Sequence, residues 1–223
     1  MAELVEGEWK DFVFKMAKPE DYPKILDLLR KNFYPNEVLC SKLCSGEEMF
    51  NEMAEDFAPW VVLALKDNLS FFAEHKETKE VAGVRVSSLT KKGENPDFPP
   101  MNFPANPIII NFLTKASVQA DIFSVYPDVD AFADFFMTAT APQFRGQGLA
   151  TEMYNRAILL FQANGIQLCK SVLTSPWTRK ACKNLNFTEH VKLLLQDYKD
   201  QDGKQFFPDA TPDQFITVVS KRI

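Results

Sequence analysis

The chain has 223 residues, 46% of them hydrophobic, which is enough to bury one full core over a single domain spanning 1–223. A net charge of -5 weighs against nucleic acid or an anionic membrane as the main partner. No run approaches the ~20 apolar residues of a membrane helix, and residues 1–6 are acidic without an apolar stretch, so a soluble, cytoplasmic protein is expected. Cys40, Cys44, Cys169 and Cys182 form no C-x-x-C pair and no His/Cys cluster completes a site, so buried free thiols and no metal are expected. Twenty Phe foretell a core or cleft rich in flat apolar surface.

In chain order, residues 9–18 alternate at Phe12, Phe14 and Met16 as a first strand would. Pro19, Glu20 and Asp21 then open a helix with Tyr22, Ile25, Leu28 and Leu29 on its buried stripe, ending near Phe33 because Tyr34 precedes a proline. In 32–39 a proline-fixed turn holds one carboxylate, Glu37, between bulky apolar neighbours; the residues alone fit a solvated loop glutamate as well as a site carboxylate. A helix over 46–57 should break before Pro59, and 60–65 is apolar throughout, as strand or helix. Strands over 69–75 and 81–89 form a hairpin, in which Gly83 marks a bulge or a close approach. Residues 91–107 carry five prolines, a semi-rigid cover or a solvated loop. Apolar spacing predicts a helix over 108–125, and 131–140 a central strand that is apolar on both faces over 132–137.

That strand runs into T-A-T-A-P-Q-F-R-G-Q-G-L-A-T, residues 138–151, which a helix over 146–164 follows. The first amides of a helix lack partners and carry the positive end of its dipole, and glycines clear the Cβ atoms that would keep a phosphate away. The amides of Arg145 through Ala150 should therefore cradle an anion, a pyrophosphate best of all. No Lys follows Gly148, as a P-loop requires, and the glycine spacing is not that of a dinucleotide fold. Beyond it lie a strand over 166–173, a helix over 176–185 capped by Ser175 or Thr174, a turn at 200–203, and strands over 190–198 and 214–220. His75 and His190, each at a strand end, fit surface or capping roles.

The run Thr140-x-Pro142-x-Phe144-Arg145-Gly146-Gln147-Gly148-Leu149-Ala150 resembles the acetyl-CoA signature of the GCN5-related N-acetyltransferases. Val81 to Val86 matches the V-x-G run of that superfamily, and 181–187 resembles its A-x-x-x-L-G-F close, with Asn186 for the glycine. The resemblance implies an α/β fold, a mixed and mostly antiparallel sheet with helices on both faces, in which a wedge beside the central strand admits the pantetheine arm. It implies acetyl-CoA as cosubstrate, held by Thr138, Ala139, Thr140, Arg145, Gly146, Gln147, Gly148, Leu149 and Ala150, with a backbone amide of the central strand facing the reacting carbonyl. Cys182 stands where many relatives carry a tyrosine that protonates the leaving thiolate.

Residues 32–39 resemble the F-x-P-x-E-P-L stretch of the insect arylalkylamine N-acetyltransferases, with Val38 for the second proline. That likeness implies Glu37 as catalytic base and Thr174 and Thr178 as acid or proton relay, although helix capping explains Thr174 equally well. It implies acetyl transfer to an arylalkylamine, with Phe98, Met101 and Phe103 as candidate pocket walls. A polyamine or diamine acetyltransferase and a non-catalytic acyl-CoA-binding domain are the alternatives. The expected partner is a small-molecule amine, with no nucleic acid and no membrane, in a monomer or weak dimer.

Overall fold

A computed structural model describes residues 5–94, 98–200 and 202–223; the first four residues, three of the proline-rich segment and Gln201 of the 200–203 turn lie outside it. The elements are β1 (Gly7–Trp9), β2 (Phe12–Met16), α1 (Tyr22–Asn32), α2 (Val38–Leu43), α3 (Glu47–Lys66), β3 (Phe71–His75), β4 (Val81–Lys91), α4 (Ala105–Ala120) and α5 (Ile122–Val125). They continue with β5 (Ala131–Thr140), α6 (Leu149–Ala163), β6 (Leu168–Leu173), α7 (Pro176–Asn184), β7 (Thr188–Leu194) and β8 (Phe215–Arg222). Eight strands form one sheet in the order β1-β2-β3-β4-β5-β6-β8-β7, antiparallel except for β5 and β6.

The expected α/β architecture is thus present. Helices α1, α3 and α4 pack on one another over one face, and α6 lies on the other. Gly83 explains how α6 comes so near: a Cβ there would meet Ala139 O at 3.2 Å and Met153 and Leu149 side chains at 3.2 and 3.3 Å. The strand register also shifts beside it, between Ala73 and Glu74, so close approach and bulge coincide.

Four local expectations are corrected. The first strand is a hairpin, since Lys10 at φ 50° reverses the chain and pairs Gly7 with Phe14. A short helix, α2, replaces the loop after Pro35. α3 does not break at Pro59: that residue faces solvent, where water can satisfy the carbonyl its missing N–H releases. The buried stripe of Met53, Ala54, Phe57, Val61, Ala64 and Leu65 runs straight past it, which settles 60–65 as helix. The helix expected over 108–125 starts at Ala105 and is interrupted by Asp121 at φ 37°. Contrary to the first reading, Ala105–Val125 is long and apolar enough by composition to cross a bilayer. Here that left-handed break divides it, and Ile109, Phe112, Ala116 and Ala120 are buried in the core. All four cysteines are free and buried, and Asn186 takes the left-handed φ of 59° expected of it.

Candidate active site

At the end of β5 the ladder is carried one step further by Ala141 N–H donating to Ala82 O at 2.9 Å. Phe144 then pins the turn: it is 7% exposed, stacks on His75 at 5.0 Å between centroids and meets Phe12 edge-on at 5.6 Å. Gly146 and Gly148 follow at φ 77° and 88°, in the left-handed region that admits glycine without strain. Arg145 closes back on the strand, its Nε donating to Thr140 O at 3.0 Å.

The amide of Arg145 is satisfied by Pro142 O at 3.2 Å, so it leaves the expected cradle. The amides of Gly146, Gln147, Gly148, Leu149, Ala150 and Thr151 meet no acceptor among the described residues. Six free donors at the positive end of a fifteen-residue helix fit a diphosphate. Leu149 and Ala139 are buried, so they can serve a ligand only through backbone; the Thr138 hydroxyl already donates to Val84 O at 3.1 Å.

One residue at this site escaped the sequence reading. Lys10, at the tip of the β1–β2 hairpin, donates from Nζ to Gln147 O at 2.8 Å and lies 4.4 Å over the Trp9 ring. A Cβ on Gly148 would stand 3.8 Å from that ammonium and 3.7 Å from Trp9. No local pattern links positions 10 and 148; only the fold joins them.

Beside the cradle the sheet opens. Strands β5 and β6 pair only at Ala133 with Cys169 and Asp134 with Lys170. From Phe135 onward they part, bridged at the apex by the Ser171 hydroxyl donating to Phe135 O at 3.4 Å. On the other edge of β5, Val86 faces Met137 and Ser87 faces Phe135, so Phe136 is skipped by the register. Such a bulge leaves its extra residue, Phe136, out of the β4–β5 ladder, next to the point where β5 and β6 part.

Glu37 is half-buried, at the bend that leads into α2. It is the N-cap of α2, its Oε2 accepting from Cys40 N–H at 2.8 Å, while Oε1 is buried with no partner among the described residues. A carboxylate with one oxygen fixed and the other free is oriented for a donor that is not part of the chain. Burial, then the neighbouring Glu37 carboxylate through its charge and a hydrogen bond, holds the Cys40 thiol well above the ordinary range, so it stays protonated beside that carboxylate. α1, which leads into Glu37, packs against β5 and β4.

The threonines fare less well. Ser175 caps α7, accepting from Trp177 N–H at 3.2 Å, which removes capping as an account of Thr174. Thr178 donates its hydroxyl to Ser175 O at 2.9 Å and has no free proton to deliver without breaking that bond. Phe98 stacks on Trp60 at 3.9 Å, and the Trp60 indole donates to Pro99 O at 2.9 Å, while Met101 packs against the core. Asp56 ties the segment down by accepting from the amides of Asn102 and Phe103. Of the three expected wall residues, Phe103 lines a cavity of ≈ 200 Å³ with Leu43, Met49, Pro104, Ala105 and Ile108. Leu43 ends α2, roughly 9 Å along the helix from Glu37 at 1.5 Å per residue.

No protein-family model matches the chain. Solved structures do. Arylalkylamine N-acetyltransferase 2 of the mosquito Aedes aegypti superposes with a TM-score of 0.78 at 20% identity, covering 96% of this chain and 99% of that one. A polyamine N-acetyltransferase of Drosophila melanogaster that forms N-acetylagmatine gives 0.78 at 15% identity, over 96% and 100%. The C-terminal condensation domain of Ebony, solved with β-alanyl-dopamine, gives 0.79 at 18%, over 95% and 99%. The fold is therefore that of the GCN5-related N-acetyltransferases, and the resemblance to the insect enzymes read in the sequence extends to the three-dimensional structure.

Proposed function

We propose that the protein transfers an acetyl group from acetyl-CoA to the primary amine of an arylalkylamine, by direct attack in a ternary complex. The observation that carries the reading is the row of six amides, residues 146–151, that meet no acceptor among the described residues, in the turn that follows β5. When bound, acetyl-CoA supplies an activated thioester; the chain supplies the rest. Gly146 to Thr151 hold the diphosphate, and the wedge leads the pantetheine arm along β5. A backbone amide of β5 beside the Phe136 bulge is the donor for the reacting carbonyl. An amine is mostly protonated near neutral pH, and the unpartnered Oε1 of Glu37 is the acceptor for the proton that must leave before nitrogen attacks. Thr174 remains the hydroxyl candidate beside the wedge for proton relay; the bonded Thr178 is the weaker one.

Two sets of neighbours divide the substrate class. Likeness to the mosquito enzyme favours an arylalkylamine, and likeness to the Drosophila polyamine enzyme, equally similar in shape, favours a linear polycation. The apolar cavity beside Phe103 supports the first. Enclosing one aromatic ring at about 25 cal/mol per Å2 is expected to give phenylethylamine a kcat/KM about one to two orders of magnitude above spermidine. Measuring both amines under the same conditions decides it, and equal efficiency would reject the arylalkylamine assignment.

Lys10 yields a smaller prediction. Lys10→Gln is expected to weaken coenzyme A binding by about two- to fivefold at low salt, the size of an exposed ion pair. Calorimetry at two ionic strengths should show a shallower salt dependence in the variant than in the wild type. Identical affinities at both would mean the ammonium only braces the Gln147 carbonyl.

A further inference from the structure

Arg85, in the middle of β4, is 1% exposed, and its Nε and Nη2 meet no acceptor among the described residues. No ion pair among those residues involves it. A buried cation without a counter-charge is costly, yet the fold has built a seat for this one. The guanidinium lies 4.1 Å over the Tyr154 ring of α6 and 4.7 Å over the Phe135 ring of β5.

Its location follows from the rings it lies over, for Phe135 is the first β5 residue past the last β5–β6 pair. β4 does not neighbour β6 in the sheet, yet Arg85 pulls downward on the thiols of Cys169, on β6, and Cys182, on α7. The side chain therefore reaches beneath β5 to where β5 and β6 part, at Phe135. Two buried donors thus lie at the apex of the wedge with nothing among the described residues to receive them.

We propose that Arg85 stabilises the negative charge that forms on the sulfur of coenzyme A when the acetyl group leaves; this rests on the acyl-CoA reading of the wedge. In the transfer a nitrogen–carbon bond forms and the carbon–sulfur bond breaks, with the bonding pair staying on sulfur. One ammonium proton goes to Glu37 before attack, a second leaves the nitrogen for water as the tetrahedral intermediate collapses, and the sulfur takes a proton from solvent on release. A fixed, always-charged guanidinium in a water-poor site is suited to that task, because its field acts without reorganisation. It also answers what Cys182 leaves open, for a positive charge can replace the tyrosine acid found in relatives.

The surrounding groups make the inference measurable. Burial raises the Tyr154 hydroxyl well above its usual range, and the Cys182 thiol upward. Burial raises Cys169 to about 12, with Lys221 on β8 the other cation acting on it. Each therefore keeps its proton through neutral and mildly alkaline pH, where the bound thiol titrates.

The thiolate ultraviolet band of bound coenzyme A, referenced to the desulfo-CoA complex, should be followed against pH in wild type, Arg85→Met, Arg85→Gln and Arg85→Lys. In wild type the bound thiol is expected to ionise about one pH unit or more below free coenzyme A, and in the Met and Gln variants to lose that shift; Lys should retain part of it. Thermal melts and coenzyme A affinity select the variants that fold, and either neutral one suffices. A bound thiol that ionises alike in wild type and neutral variants overturns the inference, leaving a trapped water as the partner of Nε and Nη2. Absence of coenzyme A binding to the wild type would overturn the cofactor reading and this inference with it.

Discussion

Replacing Gly148 with leucine is expected to reduce coenzyme A binding by at least about a hundredfold, to below detection by calorimetry, while the protein stays folded. At φ 88° any side chain carries a left-handed strain of about 1–2 kcal/mol, which lowers the melting temperature without unfolding a domain of this size. The Cβ itself would stand in ordinary contact with Trp9 and Lys10, at 3.7 and 3.8 Å. The rest of the leucine then has only the mouth of the cradle to occupy, where it covers the free amides a diphosphate would reach. Gly165→Leu is the matched control: φ is 73°, nothing lies within 4 Å, and the residue sits just past the other end of α6. It should cost similar stability and leave coenzyme A affinity unchanged. Equal affinity in Gly148→Leu and wild type would mean that the anion site lies elsewhere.

Glu37→Gln is expected to lower kcat by about 10^2–10^4-fold at neutral pH, the usual cost of removing a general base. A glutamine carbonyl can still accept from Cys40 N–H, so α2 keeps its cap, at a cost of about 1 kcal/mol or less. What is lost is the proton acceptor at the unpartnered Oε1. Acetyl-CoA affinity should change little, because the cradle belongs to the β5–α6 turn rather than to α2. The deficit should shrink as pH rises toward the amine's own pKa, where free amine no longer needs a base. A purely structural N-cap predicts the opposite pattern, with small losses equal at every pH, so the pH–rate profile of the variant separates the two.

The part of the site that sequence displayed is the part built from one contiguous stretch. Pro142, Phe144 and the two glycines announce a strand-to-helix turn because each answers a local backbone demand, and the structure meets those demands in place. The error at Arg145 was one residue, since a single 3-10 turn satisfied its amide before the free ones began. What stayed hidden came from tertiary packing. Pro59 reads as a helix breaker until one sees that it faces water while its neighbours keep a continuous apolar stripe. Glu37 reads as loop because α2 is only six residues long, too short for periodicity to show. Phe98 and Met101 resemble pocket walls by composition, whereas Trp60 and the core take them up. Arg85 alternates with Val84 and Val86 and carries no local signal; its burial and missing partners are visible only once β5 and α6 surround it.

The most direct test of the account is release of coenzyme A thiol from acetyl-CoA, followed with and without amine and matched to the amount of N-acetyl product. The account predicts saturable, amine-dependent release, with phenylethylamine well ahead of spermidine and one acetylated amine formed per thiol. Tight coenzyme A binding with no release above hydrolysis across aromatic amines, spermidine and agmatine would contradict it, and would make the domain an acyl-CoA binder without transferase chemistry.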